Sequence, residues 1–135
     1  MTRLGIASIA VLAALVLAVA APAEAASVKG RWTGTVHSGD ISLPMKMTIK
    51  RTTVGSRAGT LSNPGTLSNP GTPCHGTLRV SSRRNGGISL RYTETSGSSK
   101  CTGDDRIFIK RKGARLSWRA TAPSGQVGTA LLRRA

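Results

Sequence analysis

Acid is what this chain has least of. Five Asp and Glu stand against twenty Lys and Arg, for a formal net charge of +15. Once a leader is set aside, the acids are Asp40, Glu94, Asp104 and Asp105, and the histidines are His37 and His75. Glycoside hydrolysis needs two carboxylates facing one cleft, and no spacing here brings two together. The strings G-x-S-x-G, H-E-x-x-H and G-x-x-x-x-G-K-[ST] are missing, so the usual nucleophile, zinc-protease and phosphate-loop chemistries lack their residues. The sequence predicts a protein that is not an enzyme and implies no cofactor. Aromatics are also few, two Trp, one Tyr and one Phe. Both Trp fall on an apolar face, leaving little for the base stacking of a single-strand nucleic-acid binder. Two cysteines cannot build a four-Cys zinc site or a disulfide-dense scaffold, and C-x-x-C is absent.

Long apolar runs are limited to one. Leu4 to Ala21 is almost wholly Leu, Ile, Val and Ala, follows Arg3, and is broken by Pro22. Ala23-Glu24-Ala25 then supplies the A-x-A pattern accepted by signal peptidase. Residues 1–25 read as a cleavable signal peptide, cut after Ala25, and 26–135 as one small domain. A retained membrane anchor is the alternative, because a run of this length approaches a membrane span. The domain is expected to be secreted, in a compartment where disulfides persist.

What the domain does have is alternation. Leu43 to Lys50 alternates apolar and polar without interruption, as do Cys74–Val80, Ile88–Thr93 and Ala114–Ala120. A period of two is the strand signature, and recurring Gly, Thr and Ser disfavour helix. Turn signals fall between the runs, with Asn85-Gly86 marking a type I′ hairpin. The reading is all-β, with eight strands near 30–37, 42–53, 57–62, 74–84, 87–96, 105–111, 114–121 and 126–133. Short links make consecutive strands antiparallel neighbours, hence a meander. One face collects Trp32, Val36, Leu43, Met45, Met47, Ile49, Leu78, Val80, Ile88, Leu90, Tyr92, Ile107, Ile109, Leu116, Trp118, Val127 and Leu131. The other collects Lys46, Lys50, Arg79, Arg91, Arg106, Lys110, Arg115 and Arg119. A one-faced sheet with no helix to cover it is expected to close into a barrel; a two-sheet sandwich is the alternative.

Gly59-Thr60-Leu61-Ser62-Asn63-Pro64 is repeated at once as residues 65–70, and Gly71-Thr72-Pro73 begins a third copy. Two copies are too few for a stacked array. The expectation is a duplication in a tolerant, mobile surface loop spanning 59–73.

Cys74 lies 12 residues before Gly86 and Cys101 lies 15 after it. Positions equidistant from a hairpin turn are neighbours, so the two are expected to form a disulfide. Its loop closure would contribute about 3–4 kcal/mol. A Cys74/His75/Cys101 metal site is the rival, but it lacks a fourth ligand.

The strongest functional signal is charge. Removing Arg3 and Glu24 with the leader leaves 19 cations and 4 acids. The densest cluster is Lys110, Arg111, Lys112 and Arg115, with Arg83 and Arg84 beside another turn. Such a field attracts polyanions. The expected partners are anionic envelope or extracellular polymers or an anionic lipid surface, with nucleic acid physically possible but less favoured. The alternative function is a carrier of one small apolar ligand, since an eight-strand interior can hold one; the Trp32-x-Gly34 opening resembles lipocalin- and avidin-like barrels.

Trp32-Thr33-Gly34-Thr35-Val36, Cys74-His75-Gly76-Thr77-Leu78, Tyr92-Thr93-Glu94 before Cys101, and Gly128-Thr129 together resemble small secreted β-domains of actinobacteria. Similar domains form the extracytoplasmic ends of some Ser/Thr protein kinases. The resemblance spans most of residues 30–132. It implies a β-rich, single-disulfide extracellular module and transfers no ligand and no binding residue.

Overall fold

The computed structural model describes residues 27–63, 74–97 and 104–135. The leader at 1–25, the second repeat copy and Cys101 lie outside the described residues.

Eight antiparallel strands close into a barrel in simple chain order. They are β1 (Gly30–Ser38), β2 (Ile41–Ile49), β3 (Arg57–Asn63), β4 (Cys74–Arg84), β5 (Gly87–Gly97), β6 (Arg106–Lys112), β7 (Arg115–Thr121) and β8 (Val127–Arg134). Each strand buries alternate residues because the pleat sends successive side chains to opposite faces. Trp32 and Val36 face inward from β1, Leu43, Met45, Met47 and Ile49 from β2, and Ile107 and Ile109 from β6. Turn chemistry sets the registers. Asn85 and Gly86 have φ of 52° and 71°, the two positive values that a type I′ turn requires, and Arg84 pairs with Gly87 across them. The barrel is closed by β1 against β8, with Trp32 opposite Arg134 and His37 opposite Thr129.

The interior is filled by side chains. Trp32, Met45, Met47, Ile49, Leu78, Leu90, Ile109, Leu116 and Leu132 are all fully buried. Val28, just before β1, joins the same apolar cluster.

Three expectations need correction. In β8 the inward leucine is Leu132, fully buried, while Leu131 is 52% exposed and Val127 only half-buried. Two adjacent leucines leave the parity open; pairing decides it, since Leu116 lies opposite Leu132 and Trp118 opposite Ala130. The small Gly128 and Ala130 occupy the other inward positions of β8, beside Ala120 and Trp118. Second, β2 ends at Ile49 and not at residue 53. Lys50 and Arg51 both donate their amides to the Ala58 carbonyl, and Gly55 at φ 84° turns the chain back. Third, the repeat loop does not begin at 59. The first copy forms β3 through Asn63, with Thr60 opposite Thr48 on one side and Thr77 on the other.

Candidate functional site

An eight-strand meander sends its links alternately to two rims. The links after β2, β4 and β6 share one rim with the start of β1 and the end of β8. That rim gathers most of the cations. Lys29 and Arg31 come from the start of the barrel and Lys50, Arg51 and Arg57 from the β2–β3 turn. Arg83 and Arg84 flank the β4–β5 turn. Lys110, Arg111, Lys112 and Arg115 surround the β6–β7 turn, and Arg133 and Arg134 end β8. The described acids Asp40, Asp104 and Asp105 lie at the other rim, before β2 and before β6. Glu94 is near the same end of β5; its side chain is outside the described set.

The six residues expected to meet a polyanion share the basic rim, and their situations differ. Arg83 and Arg84 line a groove with Ser27, Lys29, Thr52 and Gly86. Lys110 reaches the β4–β5 turn, since a Cβ placed on Gly86 would stand 4.0 Å from its Nζ. Lys112 and Arg115 are exposed and directly opposite.

Arg111 is committed elsewhere. Its Nε and Nη2 donate to the Gly113 carbonyl at 3.0 and 2.7 Å, and its Nη1 donates to the Ser27 carbonyl at 3.0 Å. Its guanidinium also lies 5.4 Å from the Trp32 ring centroid. These donors close the β6–β7 turn onto the segment before β1, so Arg111 braces the rim as well as belonging to its cationic cluster.

Arg134 completes that closure. It donates to the carbonyls of Ser27 and Lys29 and stacks on Trp32 at 4.2 Å. The Trp32 indole donates Nε1 to the Val28 carbonyl at 2.8 Å. Residues 27–29 therefore plug the basic rim from below, pinned by two arginines and one indole. A sequence reader could have anticipated the shared rim by counting turns. The arginine stacking has no local signal, because Trp32 and Arg134 are a chain length apart.

The opposite rim holds the perturbed titratable group. The Asp105 carboxyl is pushed up from 3.8 to about 6, first by burial and then by the neighbouring Asp104 charge. Its Oδ1 has no hydrogen-bond partner, and neither has Nε1 of buried Trp118. His37 faces Ser42, Nδ1 to Oγ 3.0 Å, on the exposed side of β1. Asp104 lies against Arg91 on the far side of the barrel. Asp104 and His37 are thus not gathered into one cleft. Among the described residues no three of His, Cys, Asp and Glu are grouped to hold a metal. Cys74 is buried, opposite Gly97, and no described cysteine is free.

Across the described residues one ion pair is present, Arg91 to Asp104 at 4.0 Å, with both side chains exposed. The basic surface is therefore almost uncompensated from within. No protein-family model, curated protein or solved structure matches the chain.

Proposed function

We propose that this protein is a secreted, non-enzymatic basic barrel that associates with anionic envelope or extracellular polymers. The observation that carries the reading is the sorting of charge. Most of the cations crowd one rim, the described acids sit at the other, and a single loose ion pair offsets them. Like charges gathered without partners repel one another, and an external polyanion relieves that repulsion.

The packed interior favours this surface reading over the carrier. A cavity able to hold a ligand would leave its lining open to a water-sized sphere, yet the large inward side chains of seven strands are sealed. Export and a Cys74–Cys101 disulfide belong to the same proposal, in keeping with the resemblance to secreted single-disulfide β-domains. Cys74 stands opposite Gly97, and Cys101 follows four positions later. Mass spectrometry of the exported form reads both the cut after Ala25 and the two hydrogens lost on pairing.

The test of association is recovery on isolated envelope and on an anionic matrix at low and high salt. Recovery that falls steeply with ionic strength is expected. Recovery equal at both would remove the electrostatic account. The triple variant Lys110→Gln, Lys112→Gln, Arg115→Gln should elute at lower salt than the native protein.

A further inference from the structure

The outer wall carries a second basic feature, separate from the turn cluster. Arg57 of β3 lies directly opposite Arg79 of β4, Arg79 opposite Arg91 of β5, and Arg91 opposite Arg106 of β6. All four are exposed. Directly opposed like charges destabilise a sheet, and here three such pairs run in succession. Strands lie about 4.8 Å apart, so the row extends for about 14 Å. Because barrel strands tilt against the axis, the row climbs obliquely from the basic rim, where Arg57 begins β3, toward the opposite rim, where Arg106 begins β6.

Two details make it a path and not a scatter of charge. Arg79 is held in place, its Nη1 donating to the Gly55 carbonyl. Beside the row runs a groove lined by Arg84, Arg91, Arg106 and Arg119 with Ser89 and Phe108. Among the described residues the one internal neutraliser is Asp104 against Arg91, at 4.0 Å.

Resting on the polyanion reading above, we propose that this row is the contact path of a linear, base-free phosphodiester polymer, which crosses β3 to β6 with successive phosphates on successive arginines. Every position in the row is Arg, whose planar fork grips phosphate oxygens in pairs. A row of evenly repeated cations matches an anion that repeats along a chain, not a single small ion. Phosphate is tetrahedral and takes donors from several directions, which suits guanidinium beside the hydroxyl of Ser89. A carboxylate offers its two oxygens in one plane, a narrower set of approach directions. Nucleic acid is disfavoured because Phe108, the aromatic of the groove, is half-buried. Its ring lies against Gly87 and is not free to stack a base.

The test measures binding of synthetic poly(glycerol phosphate) and of a dT20 oligonucleotide to the disulfide-intact domain at two salt concentrations. The wall triple Arg79→Gln, Arg91→Gln, Arg106→Gln is compared with the rim triple Lys110→Gln, Lys112→Gln, Arg115→Gln, which removes the same charge. The wall triple should lose at least about tenfold more affinity for poly(glycerol phosphate) and flatten the log–log salt dependence by about 2. Arg79 also braces a turn, so the double variant Arg91→Gln, Arg106→Gln serves as a second reading and should lose more than Lys110→Gln, Lys112→Gln. Equal losses at wall and rim would overturn the path while leaving general polyanion association intact. Tighter binding of dT20 would overturn the choice of polymer. No binding of the native protein to either probe at low salt would overturn both proposals.

Discussion

The guanidinium of Arg134 stands 4.2 Å from the centre of the Trp32 ring, so the last strand locks the first strand's buried aromatic. The same arginine grips the carbonyls of Ser27 and Lys29. Barrel closure, rim plug and core are therefore one cooperative unit and not three independent features.

That unit separates the two tryptophans energetically. Trp32→Phe gives up the bond to the Val28 carbonyl and weakens two cation–π contacts, at about 2–3 kcal/mol. Trp118→Phe gives up packing but also removes a buried donor that has no partner, so its cost should be about 1 kcal/mol or less. Arg134→Gln should cost about 1–2 kcal/mol. Urea unfolding followed by tryptophan fluorescence reads all three; equal costs at the two tryptophans would contradict the assignment.

Asp105 should leave a mark on the pH dependence of stability. Its carboxyl titrates near 6 in the folded chain, above its ordinary 3.8. Between those values the folded state holds more protons than the unfolded one, so stability falls as pH rises from about 4 to about 6. Burial is the main cause and Asp104 the second. Asp105→Asn should flatten that segment of a melting-temperature profile and stabilise the protein at neutral pH. A profile unchanged by the substitution would show that the carboxyl is not strained.

Close backbone approach makes Gly59 intolerant. A methyl there would collide with the Thr48 carbonyl of β2, so Gly59→Ala should cost several kcal/mol, about 2–4. Gly39 differs. It faces open space, and its positive φ of 56° leaves only a backbone penalty of about 1–2 kcal/mol for Gly39→Ala. Chemical denaturation of the two variants tests the contrast, and similar losses would refute it.

Strand number and order were legible because alternation and turn signals are local. Met45, Met47 and Ile49 announce an inward face three times over, and Asn85-Gly86 announces its own turn. Legibility fails where neighbours decide. Leu131 and Leu132 offer two equally apolar parities, and only pairing with β7 chooses between them. Gly59 to Asn63 belongs both to an expected strand at 57–62 and to an expected repeat loop at 59–73, and pairing with β2 and β4 on both sides makes it strand. Arg111 looks like part of a solvated cationic run, yet three of its nitrogens are already engaged. The arginine row is invisible in the chain because its members lie 12 to 22 residues apart and meet only through register.

Most cations on one rim and carboxylates on the other give the folded molecule a permanent electric moment along the barrel axis. Near a negatively charged sheet such an object experiences a torque before it experiences a collision. Arrival would thus be rim-first, and the end that carries Asp40 and Asp104 would be left pointing away, free to meet whatever approaches from the opposite side.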